Sequence, residues 1–129
     1  MASFLTPLIH TPKHQFALQD VDGGSVLATR IEAAFDSETR RRGLLGRSHF
    51  AEGSAIVIAP CSAIHTFFMK MVIDVAFVSR TGVILKIYPS LPPWRLAFAF
   101  GAFAAIEFPA GTLLRSRTQR EHRLHLSSI

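Results

Sequence analysis

The chain has 129 residues, 49% of them hydrophobic and 18% charged, which fits one globular domain and excludes wholesale disorder. Lysine and arginine outnumber aspartate and glutamate by 14 to 9, so the formal net charge is +5 and a polyanionic partner is one hypothesis. The single cysteine excludes an internal disulfide, and the longest apolar stretch, residues 96–106, is well short of the ~20 residues that a membrane span needs.

The N-terminal segment is predicted to be a loose arm over residues 1–13, because it contains two prolines. A single domain over residues 14–129 is predicted to follow. The N-terminus has no basic region, and Pro7 interrupts its apolar stretch, so we predict no signal peptide and a cytoplasmic location.

The first predicted strands cover residues 14–21 and 25–35 and are separated by an Asp-Gly-Gly turn. The chain then changes character. Asp36 or Ser37 can cap the amides of a helix, and acidic and basic residues follow in the order that suits its dipole. We therefore predict one short helix at about 37–46.

The rest of the chain returns to short apolar runs separated by turn residues, which predict further strands. These runs are residues 54–59, 74–79, 83–88, 104–109 and 123–127. Residues 80–82 predict a hairpin. In the last run leucines alternate with basic residues, which favours a closing strand with a basic outer face over a nucleic-acid-binding arm. The predicted fold is mainly β (α+β by content), an antiparallel β-sandwich or small barrel-like sheet with one short helix.

Six blocks of sequence carry a resemblance to a known family. They are RRGLLGR (41–47), FAEGSAIVI (50–58), PCSAIHTFFMKMVIDVAFV (60–78), TGVILKI (81–87), LPPWR (91–95) and AAIEFPAGT (104–112). In this order they resemble the DUF192 (UPF0127) family over residues 31–126. The resemblance implies a mainly β domain and points to the block at 60–78 as the position of a site. It implies no reaction, since the biochemical role of that family is unassigned.

The block at 60–78 holds the only cysteine, Cys61, four residues before His65. A Cys–His pair in contact can form an activated thiolate or supply two ligands to a metal. Further candidates for a zinc site are His49, Asp74 and Glu107. The interpretation favoured over these is that Cys61 is a small buried side chain beside a histidine that hydrogen-bonds to the backbone.

Other polar residues also have two interpretations. Asp74 precedes a strand, so its carboxylate can accept backbone N–H bonds at a turn, with a ligand or catalytic role as the alternative. Glu107 lies inside an apolar strand, and a solvated outer face is favoured over a polar pocket. Trp94 and Arg95 can roof a pocket and bind a carboxylate or phosphate, or serve as a lid on the core beside a solvated arginine. In the arginine trio at 40–42, Arg42 or Arg40 can face a cleft while the others are solvated.

The leading functional hypothesis is a domain that binds a small polar or anionic ligand near the 60–78 block and the Pro-Trp-Arg loop. The predicted ligand contacts are His65, Thr66, Asp74, Trp94 and Arg95; the catalytic candidates are Cys61, His65 and Asp74; and the metal candidates are Cys61 and His65. The first alternative is a hydrolase or transferase that uses Cys61 and His65, with or without a metal. The second is a basic nucleic-acid-binding protein. The chain has no phosphate loop, H-E-x-x-H, G-x-S-x-G or dinucleotide fingerprint, so the sequence assigns no cofactor.

Overall fold

The computed structural model describes residues 2–129, which form ten strands in three sheets and three short helices. The helices are α1 (Thr6–His10), α2 (Ser37–Arg42) and α3 (Thr112–Ser116). The strands are β1 (Phe16–Asp20), β2 (Ser25–Ala28), β3 (Arg30–Ala34), β4 (Ser54–Ile58), β5 (Ala63–His65), β6 (Ile73–Val78), β7 (Ile84–Leu91), β8 (Leu96–Phe98), β9 (Ala104–Pro109) and β10 (Leu124–Ser128). The predicted mainly β fold is confirmed, and no sheet within residues 2–129 closes into a barrel.

The largest sheet has five strands in the order β3-β4-β9-β6-β7. The pair β3–β4 is parallel, and the other three pairs are antiparallel. One face of this sheet packs against the three-stranded sheet β10-β1-β2, and the other packs against the segment after α2 and the two-stranded ribbon β5-β8. Because both faces are covered, β6 and β9 are buried along their whole length.

The alternation of side chains along β9 decides where its one acidic residue points. Ala104, Ile106 and Phe108 belong to the core on the side of the three-stranded sheet, whereas Ala105 belongs to the core on the ribbon side. Side chains two residues apart in a strand share a face. Glu107 therefore points to the ribbon side, where the candidate site lies.

Two strand predictions from the sequence are confirmed. β6 and β7 form an antiparallel hairpin, whose turn includes Gly82 at a φ of 88°, a conformation that favours glycine. β10 pairs with β1, with Leu124 and Leu126 buried and His125 exposed, as a closing strand with a basic outer face requires.

The helical segments differ from the prediction. The helix expected at about 37–46 begins as predicted, with Asp36 accepting the N–H of Thr39 at 2.8 Å, but it ends at Arg42 because Gly43 turns the chain at a φ of 44°. The strand expected at 25–35 is two strands, which belong to different sheets.

The sequence missed four short elements: α1, α3, β5 and β8. Each has three to five residues, too few for a periodic pattern, and is held by tertiary contacts. α1 lies within the predicted loose arm, where Leu5 and Leu8 are buried in the core. With six residues, α2 is the longest of the three described helices, and none of residues 2–129 belong to a helix long and apolar enough to span a membrane.

Asp74, on β6, is fully buried, and its carboxylate accepts three backbone N–H groups. The donors are Ser90 at 2.8 Å, Gly111 at 3.1 Å and Leu113 at 2.9 Å. These bonds tie the end of β7 and the start of α3 to the five-stranded sheet. The carboxylate is thus occupied by structural hydrogen bonds, the interpretation that the sequence favoured for this residue.

We expect Asp74→Ala to lower the free energy of unfolding by about 3 kcal/mol or more, because three backbone donors lose their shared, fully buried acceptor. Urea unfolding measures this loss. The matched control is Asp36→Ala, which removes an exposed helix cap and should cost about 1 kcal/mol. Equal losses in the two variants would contradict the structural role of Asp74.

Candidate functional site

A cleft of about 430 Å³ lies between the end of α2 and the segment that leads into β5. Its lining includes the arginine trio at 40–42, Cys61, His65 and Glu107. These residues come from three segments that are distant in sequence. The cleft therefore exists only because the chain folds α2 and the ribbon onto the same face of the five-stranded sheet.

Glu107 lies deepest among the charged residues of the cleft. It is paired through its backbone with Ile56 and Val75, and its side chain is 4% exposed. Its Oε1 atom has no hydrogen-bond partner within residues 2–129. Burial raises the pKa of this carboxyl group to about 7, against a smaller opposing influence of Arg47. At neutral pH the group is thus divided between its protonated and ionised forms.

Arg47 does not neutralise Glu107, because its guanidinium is engaged elsewhere. It donates two hydrogen bonds to the carboxylate of Glu32, at 2.9 and 2.8 Å. This bidentate pair raises the pKa of Arg47 and lowers that of Glu32. The guanidinium of Arg47, which lowers the pKa of Glu107, is therefore hydrogen-bonded to another carboxylate.

The three arginines at 40–42 differ in whether they form ion pairs. Arg42 pairs with Glu38 at 2.6 Å, whereas neither Arg40 nor Arg41 makes an ion pair in the described part of the chain. The end of α2 also approaches the buried acid, because a Cβ built on Gly43 would lie 3.9 Å from Glu107 Oε1. The cleft thus combines two available cations with a buried, unbonded carboxyl group.

Cys61 and His65 both line the cleft, but the described residues show no hydrogen bond between them. The thiol of Cys61 donates to the carbonyl of Ala63 at 3.2 Å, and burial raises its pKa. This direction is opposite to that of an activated thiolate. His65 is exposed, and its Nδ1 accepts the N–H of Phe67 at 3.3 Å.

No group of three or more His, Cys, Asp or Glu side chains among residues 2–129 is arranged to hold a metal ion. His49, a further zinc candidate, is exposed and is not part of the cleft lining. The metal hypothesis is therefore left with Cys61 and His65, fewer ligands than a structural zinc site requires.

The other residues that the sequence assigned to the pocket lie outside the cleft lining. They are Thr66, Asp74, Trp94 and Arg95. Thr66 is fully buried and joins two loops: its hydroxyl donates to the carbonyl of Pro92 at 2.7 Å and accepts the N–H of Arg95 at 2.9 Å. Trp94 and Arg95 are exposed on the second of these loops.

The sequence interpretation that placed Glu107 on a solvated outer face was wrong. The signal that could have revealed it is the composition of β9, in which the glutamate is flanked on both sides by apolar residues typical of a doubly covered strand. Arg40 and Arg42 line the cleft, as the sequence allowed, but Arg41 lines it as well, which the sequence did not predict because the position of these side chains depends on how α2 packs.

The fold and the cleft together define a small mainly β domain with a polar cleft over its central strand. Residues 18–126 match the family model DUF192, described as "Uncharacterized ACR, COG1430", and the chain belongs to this family. The resemblance seen in the six sequence blocks is therefore confirmed. Comparison with curated proteins gives no match.

Two solved structures are similar to this chain. One is a protein from Sinorhizobium meliloti 1021 named "putative transcription regulator", with a TM-score of 0.76 and 19% identity over 88% of this chain and 92% of that one. The other is a protein of unknown function from Novosphingobium aromaticivorans DSM 12444, with a TM-score of 0.74 and 17% identity over 86% of this chain and 83% of that one. At these identities the likeness concerns the fold alone.

Glu107 should make stability depend on pH. Its pKa rises from 4.5 to about 7 on folding, so unfolding releases a proton between these values. The contribution of the protonated Glu107 to the free energy of unfolding is complete below about pH 4.5 and is lost as the pH rises through about 7. The free energy of unfolding falls by roughly 3 kcal/mol over this range. Glutamine does not titrate, so the unfolding free energy of Glu107→Gln relative to the natural protein should rise by about 2–3 kcal/mol between pH 5 and pH 8.

Urea unfolding at both pH values checks this, with Glu52→Gln as a control at an exposed glutamate outside the cleft. We expect the control to follow the natural protein at both pH values. A constant difference between Glu107→Gln and the natural protein would contradict the raised pKa.

Thr66→Val should loosen the two loops while keeping the shape of the side chain. The N–H of Arg95 and the carbonyl of Pro92 lose their partner, at a cost of about 1–3 kcal/mol in unfolding free energy. We expect quenching of tryptophan fluorescence by acrylamide to rise, since Trp94 is the only tryptophan. Thr81→Val, at an exposed threonine, is the control, and the same quenching in both variants would count against this role.

Proposed function

We propose that the protein binds a small organic anion in the cleft, with Arg40 and Arg41 as the cationic contacts and Glu107 as the buried hydrogen-bonding contact. The observation that carries this proposal is the unpartnered Oε1 of Glu107 in a cleft that is also lined by two arginines without ion pairs. A buried polar atom without a partner is costly, and such atoms are retained where a ligand or water completes the bonding.

The chemistry of the cleft favours an anion that also carries an acceptor oxygen, such as a carboxylate or a phosphate ester. Guanidinium groups bind such oxygens in a bidentate geometry. A protonated carboxyl group at Glu107 can donate one hydrogen bond to the same ligand, whereas an ionised one repels it. A volume of about 430 Å³ suits a small metabolite.

This proposal keeps the ligand class that the sequence predicted and changes its contacts. Of the residues assigned from sequence, Cys61 and His65 line the cleft. The other four residues predicted as ligand contacts do not line the cleft, so this proposal does not use them. They are Thr66, Asp74, Trp94 and Arg95.

The two alternative functions stay predictions. A hydrolase or transferase centred on Cys61 and His65 gains no support from the raised thiol pKa. A nucleic-acid-binding role draws on the basic composition and on the name of one structural neighbour, whose 19% identity supports the fold alone. The cytoplasmic location likewise stays a prediction.

A thermal-shift screen of small carboxylates, sulfate and phosphate at pH 6 tests the proposal. Carboxylates that raise the melting temperature are then titrated at pH 6 and pH 8. We expect affinity to fall about tenfold or more between these values, because Glu107 ionises with a pKa of about 7. Phosphate is left out of the pH comparison because it titrates in the same range.

Variants locate the binding. Arg40→Gln should weaken a carboxylate about tenfold, the value of one charge-assisted hydrogen bond, and Glu107→Gln should abolish the pH dependence. Arg117→Gln, exposed and outside the cleft, is the matched control. The proposal fails if no anion stabilises the protein, or if every stabilising anion binds the Arg40 and Glu107 variants as well as the control.

A further inference from the structure

A second surface, separate from the cleft contacts of Glu107, exposes large apolar side chains. Its members, which we call the apolar ridge, are Phe68, Trp94, Leu96, Phe98 and Phe100, with exposed fractions of 71, 57, 72, 57 and 98%. The last four occur at every second position through β8 and its flanking residues, while Ala97 and Ala99 between them are buried. Leu96 and Phe98 lie two residues apart on β8, so the pleat of the strand turns these two side chains to one side, with Trp94 and Phe100 exposed on either flank.

The loops at one end of the ridge hold two aromatic residues in a strained conformation. Phe68 and Trp94 have φ angles of 66° and 67°, which bulky residues rarely adopt, and their rings meet edge to face at 4.7 Å. Thr66 fixes both loops, because its carbonyl accepts the N–H of Trp94 at 3.1 Å and of Met69 at 3.2 Å. Neither ring is buried, so packing into the core does not account for this strain. Strain of this kind is retained at functional surfaces.

The segment that carries the ridge exposes charges of one sign. Residues 60–103 contain four cationic side chains and a single acid, Asp74, which is fully buried. Lys70 follows Phe68 by two positions, Arg95 lies between two ridge residues, and the Nζ of Lys86 is 4.6 Å from the ring centre of Phe98. The apolar side chains are therefore accompanied by positive charge without any exposed negative charge from this segment.

We propose that the apolar ridge docks this protein on the surface of a membrane that contains anionic lipids. Tryptophan and phenylalanine side chains favour the boundary between headgroups and acyl chains, and neighbouring lysines and arginines are attracted to anionic headgroups. The cationic side chains complement anionic headgroups, and together with the apolar contacts they provide the two signals that stable peripheral membrane binding requires.

The single tryptophan makes the ridge directly observable. Trp94 is the only tryptophan, so its emission reports on the ridge alone. The full chain is mixed with vesicles of phosphatidylcholine, with or without phosphatidylserine, and binding is followed by Trp94 emission and by co-sedimentation. We expect a blue shift and co-sedimentation with the phosphatidylserine vesicles, both decreasing as salt rises.

Matched variants distinguish binding through the ridge from nonspecific adsorption to vesicles. Leu96→Ser should lower partitioning of the protein onto vesicles about tenfold, because one leucine side chain is no longer buried in the lipid. Leu114→Ser on α3 should leave the partitioning unchanged. The two leucines have similar exposure, 72 and 80%. Lys70→Glu should weaken binding to anionic vesicles more than Lys13→Glu does. Thermal melts show that the variants fold, and Phe100→Ser supplies a second ridge variant at an almost fully exposed position.

Several outcomes would overturn the proposal. Equal binding to both vesicle types would remove the electrostatic part, and unchanged binding of Leu96→Ser and Phe100→Ser would remove the ridge. Absence of binding together with self-association that Leu96→Ser abolishes would make the ridge an interface between copies of the chain. Failure of the anion screen would leave the vesicle result unaffected, since the ridge contacts and the carboxyl group of Glu107 are tested by different variants.

Discussion

The burial of the two central strands of the five-stranded sheet governs what every polar side chain on them can do. With a second layer on each face, β6 and β9 have no solvent-facing side. A polar group on either strand must therefore find a partner inside the protein or remain at a cost. Asp74 on β6 meets this constraint with three backbone donors. Glu107 on β9 is the exception, with one oxygen unbonded among the described residues.

That contrast is the strongest argument for placing function at Glu107. Asp74 and Glu107 lie on adjacent strands, and both are carboxylates at buried positions. One is completely hydrogen-bonded, so its retention is explained by the structure it stabilises. The other raises its own pKa through desolvation and weakens the protein above neutral pH. Buried side chains that reduce stability in this way are characteristic of binding and catalytic sites.

The ribbon β5-β8 connects the cleft to the apolar ridge. His65 lines the cleft at one end of the ribbon and pairs across it with Leu96 of the ridge. The ring of His65 also stacks on Phe67 at 5.0 Å, and Phe67 stacks on Trp94 at 5.9 Å. The ribbon therefore contributes both to one wall of the cleft and to the apolar ridge, so the two proposed binding surfaces share a structural element.

The sequence predicted those features that depend on neighbours along the chain. The hairpin of β6 and β7 and the closing strand β10 follow from turn residues and a period of two. The cleft could not be predicted in this way, because Arg40, Cys61 and Glu107 meet only after α2 and the ribbon have packed on one face. Alternation alone places Glu107 opposite its apolar neighbours, but it does not reveal whether that face is open to water or covered by another layer.

The two kinds of cleft contact differ in how firmly the fold holds them. Glu107 is on the central strand, hydrogen-bonded on both sides, so its carboxyl group has a fixed position. Arg40 and Arg41 belong to a six-residue helix without buried residues, and their long side chains lack ion pairs within residues 2–129. The proposed site thus pairs a fixed hydrogen-bonding group with cations on flexible side chains. Such a site would require one ligand atom at a defined position but would tolerate different positions of the ligand's negative charge. If the cleft binds an anion as proposed, anions of different length that share an acceptor oxygen would therefore fit the same site.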